Sequence, residues 1–281
     1  VIFMALWSVI TVGGVYFTVR PRPADIEDVE SIAGYAVEPV SIDTEDGVRL
    51  SAWYVPGQAD GRAVILLAGI DANRHACVER GEFYLREGFS VLLPDLRASG
   101  KSGGNAVTLG WCERKDLLAC YDFLKGKGYG FIGANGISLG AATICYALPE
   151  LPDISFIVLE SAYDTIPNAV RNRLAMYHAP HFIAWPFYLG LSYFTGTPAW
   201  RLGPVDFVKY CKAPALIMAG DAEPELKVSE TKAIFEQCAA PQKHLHFFKE
   251  GRHQDFLRKY PDEYQELLRT FFREITTASE E

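Results

Sequence analysis

Apolar and polar positions fall into two rhythms along this chain, and the rhythms alternate. Val37 to Ile42 and Val48 to Val55 alternate with a period of two around Glu45-Asp46-Gly47, which predicts an antiparallel hairpin. Ala63 to Ala68 is an unbroken aliphatic run ending at Gly69, the pattern of a parallel strand buried on both faces. Cys77 to Glu87 has helical periodicity and stops at Gly88, and Phe89 to Asp95 is a second buried strand. Glu113 to Lys125 is an amphipathic helix whose apolar stripe is Leu117, Leu118, Tyr121, Phe123 and Leu124. A strand from Gly130 and a helix over Ala141 to Leu148 follow, then strands at Ile154 to Leu159, Ala213 to Met218 and His244 to Phe248. Helices at Val228 to Gln237 and Asp262 to Ile275 complete the series. Strands that alternate with helices predict an α/β fold: a mostly parallel central sheet with helices on both faces.

The segment from about 162 to 211 breaks the alternation. It is rich in proline and aromatic residues, as in Pro180-His181-Phe182-Ile183-Ala184-Trp185-Pro186-Phe187-Tyr188, and predicts a helical insertion over one end of the sheet. Tyr163, Tyr177, His178, Trp185, Phe187 and Tyr188 are, as a group, its candidates for lining a pocket; structural packing is the other reading.

Val1 to Val19 contains no charged residue and precedes Arg20-Pro21-Arg22-Pro23. A run of that length suffices to cross the hydrocarbon core, so residues 1–23 are expected to be a membrane anchor, with the side of the membrane open. A cleaved signal peptide, giving a secreted or periplasmic protein, fits less well, because no charged n-region precedes the run and no Ala-x-Ala-like site follows it. A buried N-terminal helix is the third reading. Ala24 to Gly34 is acidic and polar and predicts a linker into a folded domain over 24–281.

With 281 residues, 49% hydrophobic and 22% charged, the chain is ample for one large core. The net charge of −8 and the lack of a basic run argue against nucleic acid as a partner. Cys77, Cys112, Cys120, Cys145, Cys211 and Cys238 are scattered singly, without the clustering of a zinc or dithiol site, and read as buried free thiols.

The chemistry concentrates at strand ends. Gly136-Ile137-Ser138-Leu139-Gly140 places a serine between an apolar strand and a helix, flanked by glycines where a side chain would meet the neighbouring elements. Asp221, Glu223 and Glu225 follow the Ala213 strand, and His253 follows the His244 strand. In a parallel sheet these positions share one rim. A serine hydroxyl is a weak nucleophile at neutral pH. An imidazole takes its proton and later returns it, and a buried carboxylate fixes the imidazole tautomer.

The chain order serine, carboxylate, histidine, together with the elbow, resembles the α/β-hydrolase family from about Val37 to the C-terminus. Within it the likeness is to lid-bearing serine esterases and to the serine-aminopeptidase, monoglyceride-lipase-like group. Leu66-Leu67-Ala68-Gly69-Ile70 is similar to the family's strand ending in His-Gly, with Ala68 at the histidine position. Pro94-Asp95-Leu96-Arg97-Ala98-Ser99-Gly100-Lys101-Ser102 is similar to its Asp-x-Arg-Gly-x-Gly-x-Ser turn. Gly220-Asp221-Ala222-Glu223-Pro224 is similar to its acid-bearing segment, and the match lands on Glu223, with Asp221 as the alternative acid.

The resemblance implies Ser138 as nucleophile, His253 as base and the backbone N–H groups of Ile70 and Leu139 as oxyanion donors. The activity implied is hydrolysis of a small-molecule carboxylic ester of short to medium acyl chain, with no metal or organic cofactor. A thioesterase, lipase or peptidase uses the same triad. A membrane-tethered, non-catalytic binding protein on a hydrolase fold is the alternative of another class. Asp71, Asn73, Arg74 and His75 flank the oxyanion loop and read mainly as solvated or bordering residues, and Asp95 as a structural turn residue.

Overall fold

The computed structural model describes residues 13–58 and 61–277. Eight strands form the main sheet: β1 (Glu38–Asp43), β2 (Arg49–Val55), β3 (Arg62–Leu67), β4 (Ser90–Pro94), β5 (Phe131–Ile137), β6 (Phe156–Glu160), β7 (Ala215–Gly220) and β8 (Lys243–Phe248). Their spatial order is β1-β2-β4-β3-β5-β6-β7-β8, with β2 antiparallel to both its neighbours and every pairing from β4 to β8 parallel.

The unbroken aliphatic runs divide between two cores, because successive side chains of a strand point to opposite faces. Ala63, Ile65 and Leu67 of β3 join one buried cluster; Val64 and Leu66 join the other. The first face is covered by α2 (Arg114–Gly126), α3 (Leu139–Ala147) and α6 (Val228–Gln237). The second is covered by α1 (Val78–Arg86) and α8 (Pro261–Thr277), through Phe83, Tyr84, Tyr264, Leu268 and Phe271. Between β6 and β7 lies the helical lid insertion, with α4 (Ile166–Met176) and α5 (Trp185–Thr195). It packs on α3 in a third cluster that includes Ala142, Tyr146, Ile166, Tyr188 and Leu191.

The expected membrane anchor does not stand. Residues 1–12 of that stretch lie outside the described residues. Residues 13–19 are helical and lie against the lid: Val19 is buried in the third cluster, and a Cβ added at Gly190 of α5 would fall 2.7 Å from Val15 Cγ2. Val15 and Val19 thus pack on protein, while Tyr16 and Phe17 of the same helix are each 62% exposed. Among the described residues no helix is long and apolar enough to cross a membrane, so neither the membrane location nor the membrane as a partner has support. The stretch read as a linker is also packed: Ile26 and Ile32 are buried, and the Trp53 indole N–H donates to Asp28. All six cysteines are free thiols, five of them buried.

A buried ion pair ties α1 and α8 to the rim. Arg80 donates through Nε to Glu160 Oε1 (2.9 Å) and through Nη2 to Oε2 (2.7 Å); Tyr264 Oη and Asn135 Nδ2 also donate to Oε1. Removing one partner leaves an uncompensated charge in a dry site. Arg80→Met is therefore expected to cost about 3–5 kcal/mol in urea unfolding.

Candidate active site

β5 ends at Ile137, α3 begins at Leu139, and Ser138 stands between them at φ 51°, ψ −103°. That region is sparsely populated for a residue with a side chain and persists only where neighbours hold it. The neighbours here are backbone. A Cβ added at Gly136 would lie 2.3 Å from the Gly140 carbonyl carbon, and one added at Gly140 would lie 2.4 Å from Leu67 O. Neither contact is relieved by a side-chain rotation, so Gly136→Ala is expected to lower stability by about 3 kcal/mol, read as a fall in thermal midpoint.

Three strand-end loops meet over this turn. His253 lies in the loop after β8, and its Nε2 is 3.1 Å from Ser138 Oγ. Its Nδ1 is 2.6 Å from Glu223 Oε2, in the loop after β7. The two loops are stitched together: Ala222 N–H donates to Gly251 O at 2.9 Å, and a Cβ added at Gly220 would collide with Gly251 O at 2.1 Å. Past His253, Asp255 accepts from Arg258 N–H at the start of α7 (Phe256–Lys259) and from Arg80 Nη1 at 3.0 Å. Burial pushes the Asp255 carboxyl up, but Arg80 and the cap outweigh it and hold it below the usual carboxylate range. The histidine loop is anchored on a charge.

The Glu223 carboxylate is fully buried, and its Oε1 accepts from Ser161 Oγ and Gly220 N–H, both at 2.6 Å. An ionised carboxylate only accepts, so the imidazole nitrogen facing it, Nδ1, carries the hydrogen. In the neutral ring the lone pair then sits on Nε2, toward Ser138. Asp221 is exposed on the same loop, with its backbone N–H on Phe248 O; Glu223 is the carboxylate that reaches His253.

The loop after β3 runs beside the serine: a Cβ added at Gly69 would lie 3.7 Å from Ser138 Cβ. Gly69, Ile70 and Leu139 border a common cavity of about 10 Å³, room for about one water. Leu139 opens α3, where backbone N–H groups are left without helical partners and favour negative charge.

The other flanking residues are structural. Arg74 is buried, donating through N–H and Nη2 to Asp95 at 2.9 and 2.7 Å, so it is no solvated loop residue. Asn73 caps the short helix Arg74–Cys77, and His75 packs edge-on to Trp53. Asp95 also accepts from Lys101 N–H, which closes its turn. The lid aromatics divide: Tyr163 donates to Leu109 O, Tyr188 is buried beside His181 with the rings of Trp185 and Phe187 against it, and Tyr177 and Trp185 are 80% and 53% exposed. Ser161, which no motif in the sequence marks, lies just after β6 and so on the same rim. Among the described residues, no group of three or more His, Cys, Asp or Glu side chains is placed to hold a metal.

Comparison with known proteins agrees with this fold. The esterase Pf2001 of Pyrococcus furiosus superposes with a TM-score of 0.78 at 26% identity, covering 92% of this chain and 98% of its own. A thermophilic esterase from Thermogutta terrifontis superposes with a TM-score of 0.62 at 18% identity, covering 85% of this chain and 99% of its own. In sequence the chain is 25% identical over 243 residues to the uncharacterized protein YqkD of Bacillus subtilis, covering 83% of this chain and 78% of that protein. It is 26% identical over 212 residues to the uncharacterized protein Rv2307c of Mycobacterium tuberculosis, covering 73% and 69%. No protein-family model matches. The strand order and these superpositions make the chain a member of the α/β-hydrolase superfamily. It is a hydrolase of the α/β type.

Proposed function

We propose that this chain is a serine esterase that cleaves small-molecule carboxylic esters of short to medium acyl chain through an acyl-enzyme. The observation that carries the reading is the line Glu223–His253–Ser138, with separations of 2.6 and 3.1 Å. Ser138 Oγ attacks the ester carbonyl as His253 Nε2 takes its proton. The carbonyl oxygen becomes an oxyanion facing the N–H groups of Leu139 and Ile70, each such donor contributing about 2.7–4 kcal/mol in the transition state. His253 passes the proton to the leaving alcohol, and the serine ester remains. Water repeats the cycle with His253 as base, releasing the acid and restoring Ser138. Glu223 stays ionised throughout and stabilises the imidazolium. The esterase names of the superposed structures support the same reaction class.

The test is turnover of p-nitrophenyl esters from acetate to palmitate beside aminoacyl p-nitroanilides. The reading predicts ester turnover that is greatest at short and medium chains. Strong anilide turnover with negligible ester turnover contradicts it.

A further inference from the structure

We infer that Arg22, from the N-terminal segment, is a positioning residue for the oxyanion loop. The inference rests on the serine-esterase reading. Arg22 is itself held firmly. Its backbone N–H donates to Ala98 O, and Arg22–Pro23 pairs with Ser99–Gly100. Its guanidinium, 14% exposed, gathers the carbonyls at the end of the 13–19 helix: Nη1 donates to Thr18 O (3.0 Å) and Arg20 O (2.8 Å), and Nη2 to Phe17 O (2.9 Å). The remaining edge, Nε, pairs with the Asp71 carboxylate.

Asp71 directly follows Ile70 and sits at φ +61°. That conformation is uncommon for a residue with a side chain, and here it belongs to the turn Gly69–Ala72, closed by Ala72 N–H to Gly69 O at 3.3 Å. Burial adds no hold, because the Asp71 side chain is 66% exposed; its carboxylate is tied to Arg22. Arg22, Asp71, Ile70, Gly69 and Leu139 border the same small cavity. Releasing Asp71 leaves the turn to its long backbone bond, 3.3 Å from Ala72 N–H to Gly69 O, and lets the chain next to Ile70 shift, so the Ile70 N–H loses its aim. The same guanidinium caps a helix that packs on α5 through Val15 and Gly190, so the lid and the oxyanion loop share one post.

Arg22→Met keeps the aliphatic stem and the backbone N–H bond to Ala98 O, and removes every side-chain donor. Active sites are counted by fluorophosphonate titration, and p-nitrophenyl butyrate turnover is expressed per titrated site. The expected result is a fall in kcat of about 10–100-fold with KM within about 3-fold, since a small mis-aim at an oxyanion donor has that effect. Affinity for a boronic acid that forms a tetrahedral serine adduct should fall in parallel. Asp71→Asn, on an exposed side chain that leaves folding intact, should lower kcat in the same direction, and the double variant should fall no further than Arg22→Met. Arg22→Lys should recover only part of the loss. A kcat per titrated site within 2-fold of wild type in Asp71→Asn and in any soluble Arg22 variant overturns the inference. A wild-type protein that neither turns over ester nor takes up fluorophosphonate overturns the esterase reading instead.

Discussion

If the proposed serine-esterase reading holds, Ser138→Ala is expected to lower ester turnover by about 10⁶-fold, with the fold retained. The size follows from the unit character of the site: without Oγ, nothing accepts the acyl group, and His253 and Glu223 have no proton to move. The residual rate then comes from binding and the oxyanion donors acting on a water. The stability effect is expected to be small because, among the described residues, the serine's hydroxyl is hydrogen-bonded only to His253 Nε2, while the strained turn is held by Gly136, Gly140 and Leu67 backbone. The measurement is p-nitrophenyl butyrate hydrolysis beside a thermal melt of both proteins.

On the same proposal, Glu223→Gln is expected to lower kcat by about 10⁴-fold and to leave the melt within a few degrees of wild type. The hydrogen bonds fix how the glutamine sits. Ser161 Oγ and the Gly220 N–H both donate to the position of Oε1, so the amide oxygen takes that place. The amide NH₂ then faces His253 Nδ1, which must accept. Nε2 carries the hydrogen in that tautomer and has no lone pair for the Ser138 proton. The loss is one of protonation state with geometry preserved. Asp221→Asn, on the exposed carboxylate of the same loop, serves as the control and changes turnover less than about 2-fold.

The sheet was legible because a parallel sheet covered on both faces demands long aliphatic runs. The aliphatic run Ala63 to Ala68 predicts a strand, and the strand spans Arg62–Leu67. The serine turn was legible because its two glycines occupy places where only backbone fits. The N-terminal segment was not, because hydropathy records that Val15 and Val19 avoid water without saying whether lipid or the lid receives them. The choice between Asp221 and Glu223 is open in the sequence because a single residue, Ala222, separates a solvent-facing carboxylate from a buried one, and no periodicity distinguishes them. Ser161 and Arg22 act across 62 and 49 residues of chain, on Glu223 and Asp71, and only the closed fold brings those pairs together.

The most direct measurement is the intact mass and peptide map of the protein after reaction with a fluorophosphonate. A serine activated by the His253 imidazole and the buried Glu223 carboxylate predicts one adduct per chain, located on the peptide containing Ser138 and absent from Ser138→Ala. No adduct under conditions where an established serine esterase is fully labelled, or an adduct at another residue, contradicts the proposed role of Ser138.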